Sequence, residues 1–206
     1  MNNIINKFQE LNIDSKLTVI PYLENKNKWN IVFNDIEYRS IFYSEYYMGY
    51  QSKYFSEIDP VFEDCSLIFA YNKIPIGIWP ICIISSETDN RKRICSFDRN
   101  IIKPAISKSI KDKIKKFILN ISFKIIKNLI EKDKIYKTPI FFDNYEFNSG
   151  VSLWHQTFTR NRYKLSNFYT LYLKLDDDIN KVKKHFRKSF RSLINIKNDK
   201  FKIIIL

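Results

Sequence analysis

Apolar and polar positions follow several distinct rhythms along the chain, and each rhythm predicts an element. Residues 65–84 carry the clearest extended pattern: CSLIFAY, then the polar turn NKIP, then IGIWPICII. Two β-rich runs around a short turn predict a hairpin, and their nearly continuous apolar character places it inside a sheet. Pro80 in the second run predicts a bulge or an unpaired position, because proline has no N–H to give to a ladder. Upstream, Leu17 to Leu23 is a short strand pattern broken by Pro21, and Trp29 to Phe33 is an apolar patch. Tyr38 to Phe55 reads as a helix in which Ile41, Phe42, Tyr46, Met48 or Gly49, and Tyr50 lean to one side. Its six tyrosines read as half-buried packing residues with wet hydroxyls rather than as a binding surface. Downstream, residues 85–93 form a polar loop, Ile94 to Phe97 a third strand, and Pro104 a helix opener.

The longest periodicity covers residues 105–133. Ile110, Ile114, Phe117, Ile118, Ile121, Ile125, Leu129 and Ile130 recur at three- and four-residue steps and form one apolar stripe. The lysines between them occupy other faces, as in a helix packed on a sheet with a solvated lysine side. Pro139 to Phe142 predicts a fourth strand, Val151 to Phe158 a short helix bearing Trp154 and His155, and Tyr163 to Leu165 a return to extended chain. Tyr169 to Leu175 alternates like a strand, and Asp176 to Asp178 suits a helix N-terminus. A basic helical pattern follows, then the strand-like Phe201 to Leu206. Strands that alternate with helices in this way predict an α+β (mixed α/β) fold, with a central, mostly antiparallel sheet flanked by helices.

Composition adds a charge and removes several chemistries. The 206 residues carry 35 Lys and Arg against 22 Asp and Glu, a formal charge of +13. That balance favours anionic partners such as nucleic acid, phospholipid headgroups or pyrophosphorylated substrates. Cys65, Cys82 and Cys95 lie far apart in apolar sequence, as buried reduced thiols of a cytosolic protein do. His155 and His185 are the only histidines, and no metal-ligand spacing occurs. The first eleven residues lack the apolar core of a signal peptide, and no segment has the roughly 18 apolar residues of a membrane span. The expectation is a cytoplasmic protein, with peripheral contact at the inner face of the membrane allowed.

One cluster suggests binding chemistry. Lys184, Arg187, Lys188 and Arg191 stand three or four residues apart and project from one side of a helix, with Ile179, Val182, Phe186, Phe190 and Leu193 on another. Four cations without interleaved acids repel one another, and a phosphate relieves that repulsion. A lipid-linked pyrophosphate precursor or the backbone of an aminoacyl-tRNA fits, since the guanidinium fork takes phosphate oxygens in pairs. These four residues are the candidate substrate-phosphate site. Ser189 with His185 one turn earlier lacks an orienting acid and makes no triad.

The order hairpin, strand, helix, strand, helix, strand resembles the core of the GNAT acyltransferase fold. At FRKSFRS (Phe186 to Ser192) and Asn198-Asp199-Lys200, it resembles the Fem-type aminoacyltransferases of peptidoglycan bridges and their relatives in polysaccharide clusters. LIFAYNKIPIGIWPICI followed by CSFDRNIIKPAI is similar to the first-domain pattern of that family. The resemblance implies paired GNAT-like domains. Residues 1–175 would be the first, with a helical lead-in, and 176–206 a basic linking helix plus the first strand of a truncated second. It implies N-acyl transfer with aminoacyl-tRNA or acyl-CoA as donor to the full-length protein. Asp98 and Arg99 stand where many relatives carry glycine. No Gly-x-Gly/Ala cradle for pyrophosphate exists among Gly49, Gly77 and Gly150, so no cofactor is expected on this half. The alternative is a non-catalytic basic module that binds nucleic acid or anionic lipid.

Overall fold

The computed structural model describes residues 16–37, 39–85, 91–97, 100–132, 134–135, 139–141, 152–163 and 184. The chain divides into two compact units, Met1–Lys164 and Leu165–Leu206. In the second unit only Lys184 is described, as an exposed helical residue. The strands expected at 169–175 and 201–206, and the rest of the basic helix, lie outside the described residues.

The first unit opens with β1 (Leu17–Pro21), then α1 (Lys26–Asp35), a 3-10 turn (Ile41–Tyr43) and α2 (Glu45–Ile58). The helix expected over Tyr38–Phe55 is therefore two pieces. Ser44 causes the division: its extended backbone ends the turn, and its Oγ accepts the Tyr47 N–H at 3.2 Å to start α2 afresh. Local side-chain capping of this kind competes with helix continuation. The division also rotates the apolar face. Met48 and Phe55 are buried, whereas Tyr46 and Tyr50 are 93% and 68% exposed.

Among the described residues seven strands make two antiparallel sheets rather than one. The first has the order β1, β3 (Leu67–Tyr71), β4 (Ile74–Trp79), β7 (Ala105–Ile106). The second has the order β2 (Glu63–Asp64), β5 (Cys82–Ser85), β6 (Lys92–Cys95). The expected β3–β4 hairpin sits at the centre of its sheet. The run IGIWPICII is not one strand, because the chain leaves the first sheet at Trp79 and enters the second at Cys82, with Pro80 unpaired between them. Pro80 thus stands at an unpaired position, as expected, and a separate register shift in the hairpin lies between Phe69 and Ala70.

Pro104 does not open a helix. Ala105 and Ile106 pair with Ile78 and Gly77 on the edge of the first sheet, where a preceding proline costs no ladder bond. The long helix α3 (Asp112–Lys132) begins later, with Asp112 in its first turn where a carboxylate suits the helix dipole. Of the strand expected at 139–142, the described part forms one parallel bridge, Phe141 with Ile101, and the Ile101 N–H donates to the Ile140 carbonyl at 2.8 Å. Then α4 (Leu153–Arg160) follows, capped by Ser152 through the His155 N–H.

Alternation in the strands sorts their side chains into two cores. Ile68, Ile78, Cys82, Ile84 and Cys95 pack with Trp29, Val32, Met48 and Phe55 from α1 and α2. Leu67, Phe69, Trp79, Ile81, Ile83 and Ile94 pack with Ile118, Ile125 and Leu129 of α3 and Trp154 of α4. The expected α+β fold, with antiparallel strands flanked by helices, is present as three layers. Beside Trp154 the second core ends in an aromatic cluster of Phe123, Phe141, Phe158 and Tyr163, with ring centroids 4.8–5.9 Å apart.

Candidate functional site

Where β1 runs into α1, and α2 passes β2, a group of polar residues converges. Asp64 ends the two-residue strand β2, and two residues, Cys65 and Ser66, lead from it into the apolar β3. Its Oδ1 accepts the Ser66 N–H at 2.9 Å, and its Oδ2 accepts the Ser52 hydroxyl of α2 at 3.4 Å. Burial raises the Asp64 pKa above the ordinary carboxylate range. The Ser66 and Ser52 hydrogen bonds and the charge of Lys26 pull it back only in part.

Tyr22, which follows β1, is buried against Trp29 at 4.8 Å between ring centroids. Its phenol is pushed well above its usual value, first by burial and then by the negative charges of Glu45 and Asp64. Glu45 is held from α1 by the Asn30 amide, which donates to its Oε2 at 2.7 Å. Lys26 lies 6.0 Å from the Tyr22 ring centroid and also lines a shallow depression of about 410 Å³ formed by residues 23–28. The corner thus holds a carboxyl that takes up a proton more readily than usual and a phenol that keeps its own. These are the two properties needed to accept a proton and to donate a hydrogen bond in one place.

None of this corner was singled out by spacing in the sequence. The one legible signal is an acidic pair, Glu63-Asp64, set directly against the apolar run CSLIFAY. A carboxylate that close to a buried strand loses water unless the chain turns away from the core. The partners of Asp64 come from distant segments, and no linear pattern joins them.

The residues that were singled out fare differently. Lys184 is exposed and helical, while Arg187, Lys188 and Arg191, and the Ser189–His185 pair, lie outside the described residues. Of the tyrosines, Tyr43 and Tyr47 do pack, but their hydroxyls donate to the carbonyls of Lys103 at 2.8 Å and Phe97 at 3.2 Å rather than to water. The three cysteines are buried and none is in a disulfide. Two of them are not far apart: Cys82 and Cys95 are opposed across β5 and β6 with their sulfurs 3.5 Å apart. Among the described residues no group of three or more His, Cys, Asp or Glu side chains could hold a metal, and no helix is long and apolar enough to cross a membrane.

No family model matches the chain, and no curated protein does. Among solved structures it is similar to a GNAT family acetyltransferase of Staphylococcus aureus subsp. aureus USA300_TCH1516. The identity is 16% and the TM-score 0.43, over 78% of this chain and 99% of that one. A likeness of this size decides neither ancestry nor activity.

Proposed function

We propose that this chain is part of a Fem-like acyl- or aminoacyltransferase that acts at the cytoplasmic face of the membrane in peptidoglycan or cell-surface polysaccharide assembly. One observation carries the reading. The described elements run as hairpin, further strands, long helix α3, a return beside Ile101, and helix α4, which is the order that the resemblance at residues 40–206 implies. The donor is an aminoacyl-tRNA or acyl-CoA, the acceptor an amine on an anionic, lipid-linked precursor. Lys184, Arg187, Lys188 and Arg191 bind its phosphates, and residues 176–206 link this half to a second one.

In the transfer, the amine nitrogen forms a bond to the activated carbonyl carbon. The proton lost by nitrogen passes to Asp64 and from it to the departing ester oxygen or thiolate, which leaves as the alcohol or thiol. Positioning of an activated ester beside an amine supplies much of the rate in such a step, so no triad is required. The experiment is donor turnover by the full-length protein, read as release of deacylated tRNA or free CoA in the presence of an amine acceptor. Asp64→Asn should lower kcat about 100-fold with KM for the donor little changed. Donor release that ignores both the acceptor and this substitution overturns the assignment.

A second reading, a non-catalytic module for nucleic acid or anionic lipid, is favoured by one feature. Lys113, Lys116, Lys124 and Lys127 are exposed along one side of α3, with Asn120 between them. It requires binding to RNA or anionic vesicles that weakens steeply with added salt. Binding that ignores salt sinks it.

A further inference from the structure

We propose that Cys82 and Cys95 form an oxidation site, at which a hydroperoxide converts the two thiols into a disulfide that fastens β6 to β5.

The placement is already that of a disulfide. The two residues are direct partners in an antiparallel register that also pairs Ile83 with Ile94, Ile84 with Arg93 and Ser85 with Lys92. Opposed positions in such a ladder have Cα atoms about 4.5–5.5 Å apart, inside the range of about 4.4–6.8 Å that disulfides span. The sulfurs are 3.5 Å apart, so side-chain rotation alone closes them to the bond length of about 2.05 Å. Cys65 cannot substitute for either, because it points into the opposite core.

Two further features bear on reactivity. The Phe97 N–H hydrogen-bonds the Cys82 sulfur, which favours its thiolate against the strong opposing effect of burial. Phe97 holds that N–H in place with a φ of 48°, the left-handed region that a bulky residue seldom occupies. And β6 is a four-residue strand at the edge of its sheet, the kind of element that opens first. Opening exposes Cys95 before Cys82, which lies on the central strand.

The chemistry balances with hydrogen peroxide as oxidant. The Cys95 sulfur attacks one peroxide oxygen; an S–O bond forms, the O–O bond breaks, and the thiol proton leaves with the other oxygen as water. The Cys82 sulfur then attacks the Cys95 sulfenic acid; the S–S bond forms, the S–O bond breaks, and the departing hydroxide takes the Cys82 proton as a second water. The two sulfurs lose two electrons and the peroxide gains them.

The test treats the purified full chain with hydrogen peroxide, then unfolds it, counts thiols and maps the linked peptides. We expect two of the three thiols to disappear, a Cys82–Cys95 linked peptide that dithiothreitol reverses, and none left to count in Cys65→Ser. Amide exchange in residues 92–95 should slow about ten-fold on oxidation, as an edge strand that no longer opens would. Three intact thiols, a link through Cys65 or between chains, over-oxidation of Cys95 without a link, or unchanged exchange each overturn the proposal. Because the wild-type chain carries the readout, a failure of Cys82→Ser to fold leaves the test intact.

Discussion

Trp79 donates its indole N–H to the Ile102 carbonyl at 2.7 Å and so fastens the segment ahead of Pro104 to the central sheet. Trp154 is as deeply buried, with its ring 6.3 Å from that of Trp79, but its N–H has no acceptor among the described residues. Replacing each by phenylalanine removes similar volume. Only Trp79→Phe leaves a buried carbonyl without its donor, so it should cost about 1–3 kcal/mol more than Trp154→Phe. Urea denaturation of the two variants checks the difference; equal losses would contradict it.

The two described glycines should respond oppositely to a methyl group. A Cβ at Gly49, inside α2, meets nothing within 4 Å. Gly49→Ala should therefore raise stability by about 0.5–1 kcal/mol through helix propensity. A Cβ at Gly77 would lie 3.3 Å from Phe69 Cδ2 and 3.5 Å from the Ala105 carbonyl oxygen. Gly77→Ala should destabilise by about 1–3 kcal/mol, since neither the packed ring nor the β7 backbone has room to yield. Thermal or chemical unfolding of both variants gives the signs.

The β3–β4 turn is built from Asn72 and Lys73, both left-handed, with φ of 49° and 67°. Such a turn matches the twist of the strands and prefers glycine at its second position. Lys73→Gly should stabilise by about 0.5–1 kcal/mol, and Lys73→Val should destabilise. Equilibrium unfolding midpoints decide between them.

Asp64 and Asp59 should give opposite pH slopes. The folded pKa of Asp64 is raised by burial. The native state thus holds its proton longer than the unfolded chain, and stability falls as pH climbs from the unfolded value towards the folded one. Above that window the loss is complete, so Asp64→Asn should flatten this limb and unfold no more easily than wild type at neutral pH.

At Asp59 burial is outweighed by the N–H groups of Ser85 and Val61, the Ser85 hydroxyl and the charge of Arg93, and the pKa is lowered. Its contribution is present above the unfolded value and lost as pH falls through the folded one. Asp59→Asn should cost about 1 kcal/mol at neutral pH and nothing in acid. Stability curves across pH 2–8 for the two variants test both signs.

The central hairpin, β1, the α3 stripe and α4 were legible because each is a local pattern of apolar spacing. What sequence reading missed depends on partners far along the chain. Ser44 looked like one more helical residue until its hydroxyl is seen to begin a new helix. Pro104 looked like an opener because proline suits a first turn, yet the free edge of β4 claims the next two residues. Asp64, Tyr22 and Glu45 meet only through tertiary folding, as do Cys82 and Cys95, whose thirteen-residue separation hides a direct opposition.

Ile78 and Trp79 are neighbours on β4, both fully buried, and they face different cores. Slipping the strand by one position would exchange them, forcing an indole into a space shaped for isoleucine and leaving a void where the indole belongs. The irregularity between Phe69 and Ala70 sets the phase of the pairing. A strand wet on one face can mispair and merely lose some burial. Here every misaligned partner fails twice, once on each side, so the two cores together proofread the hairpin as it forms.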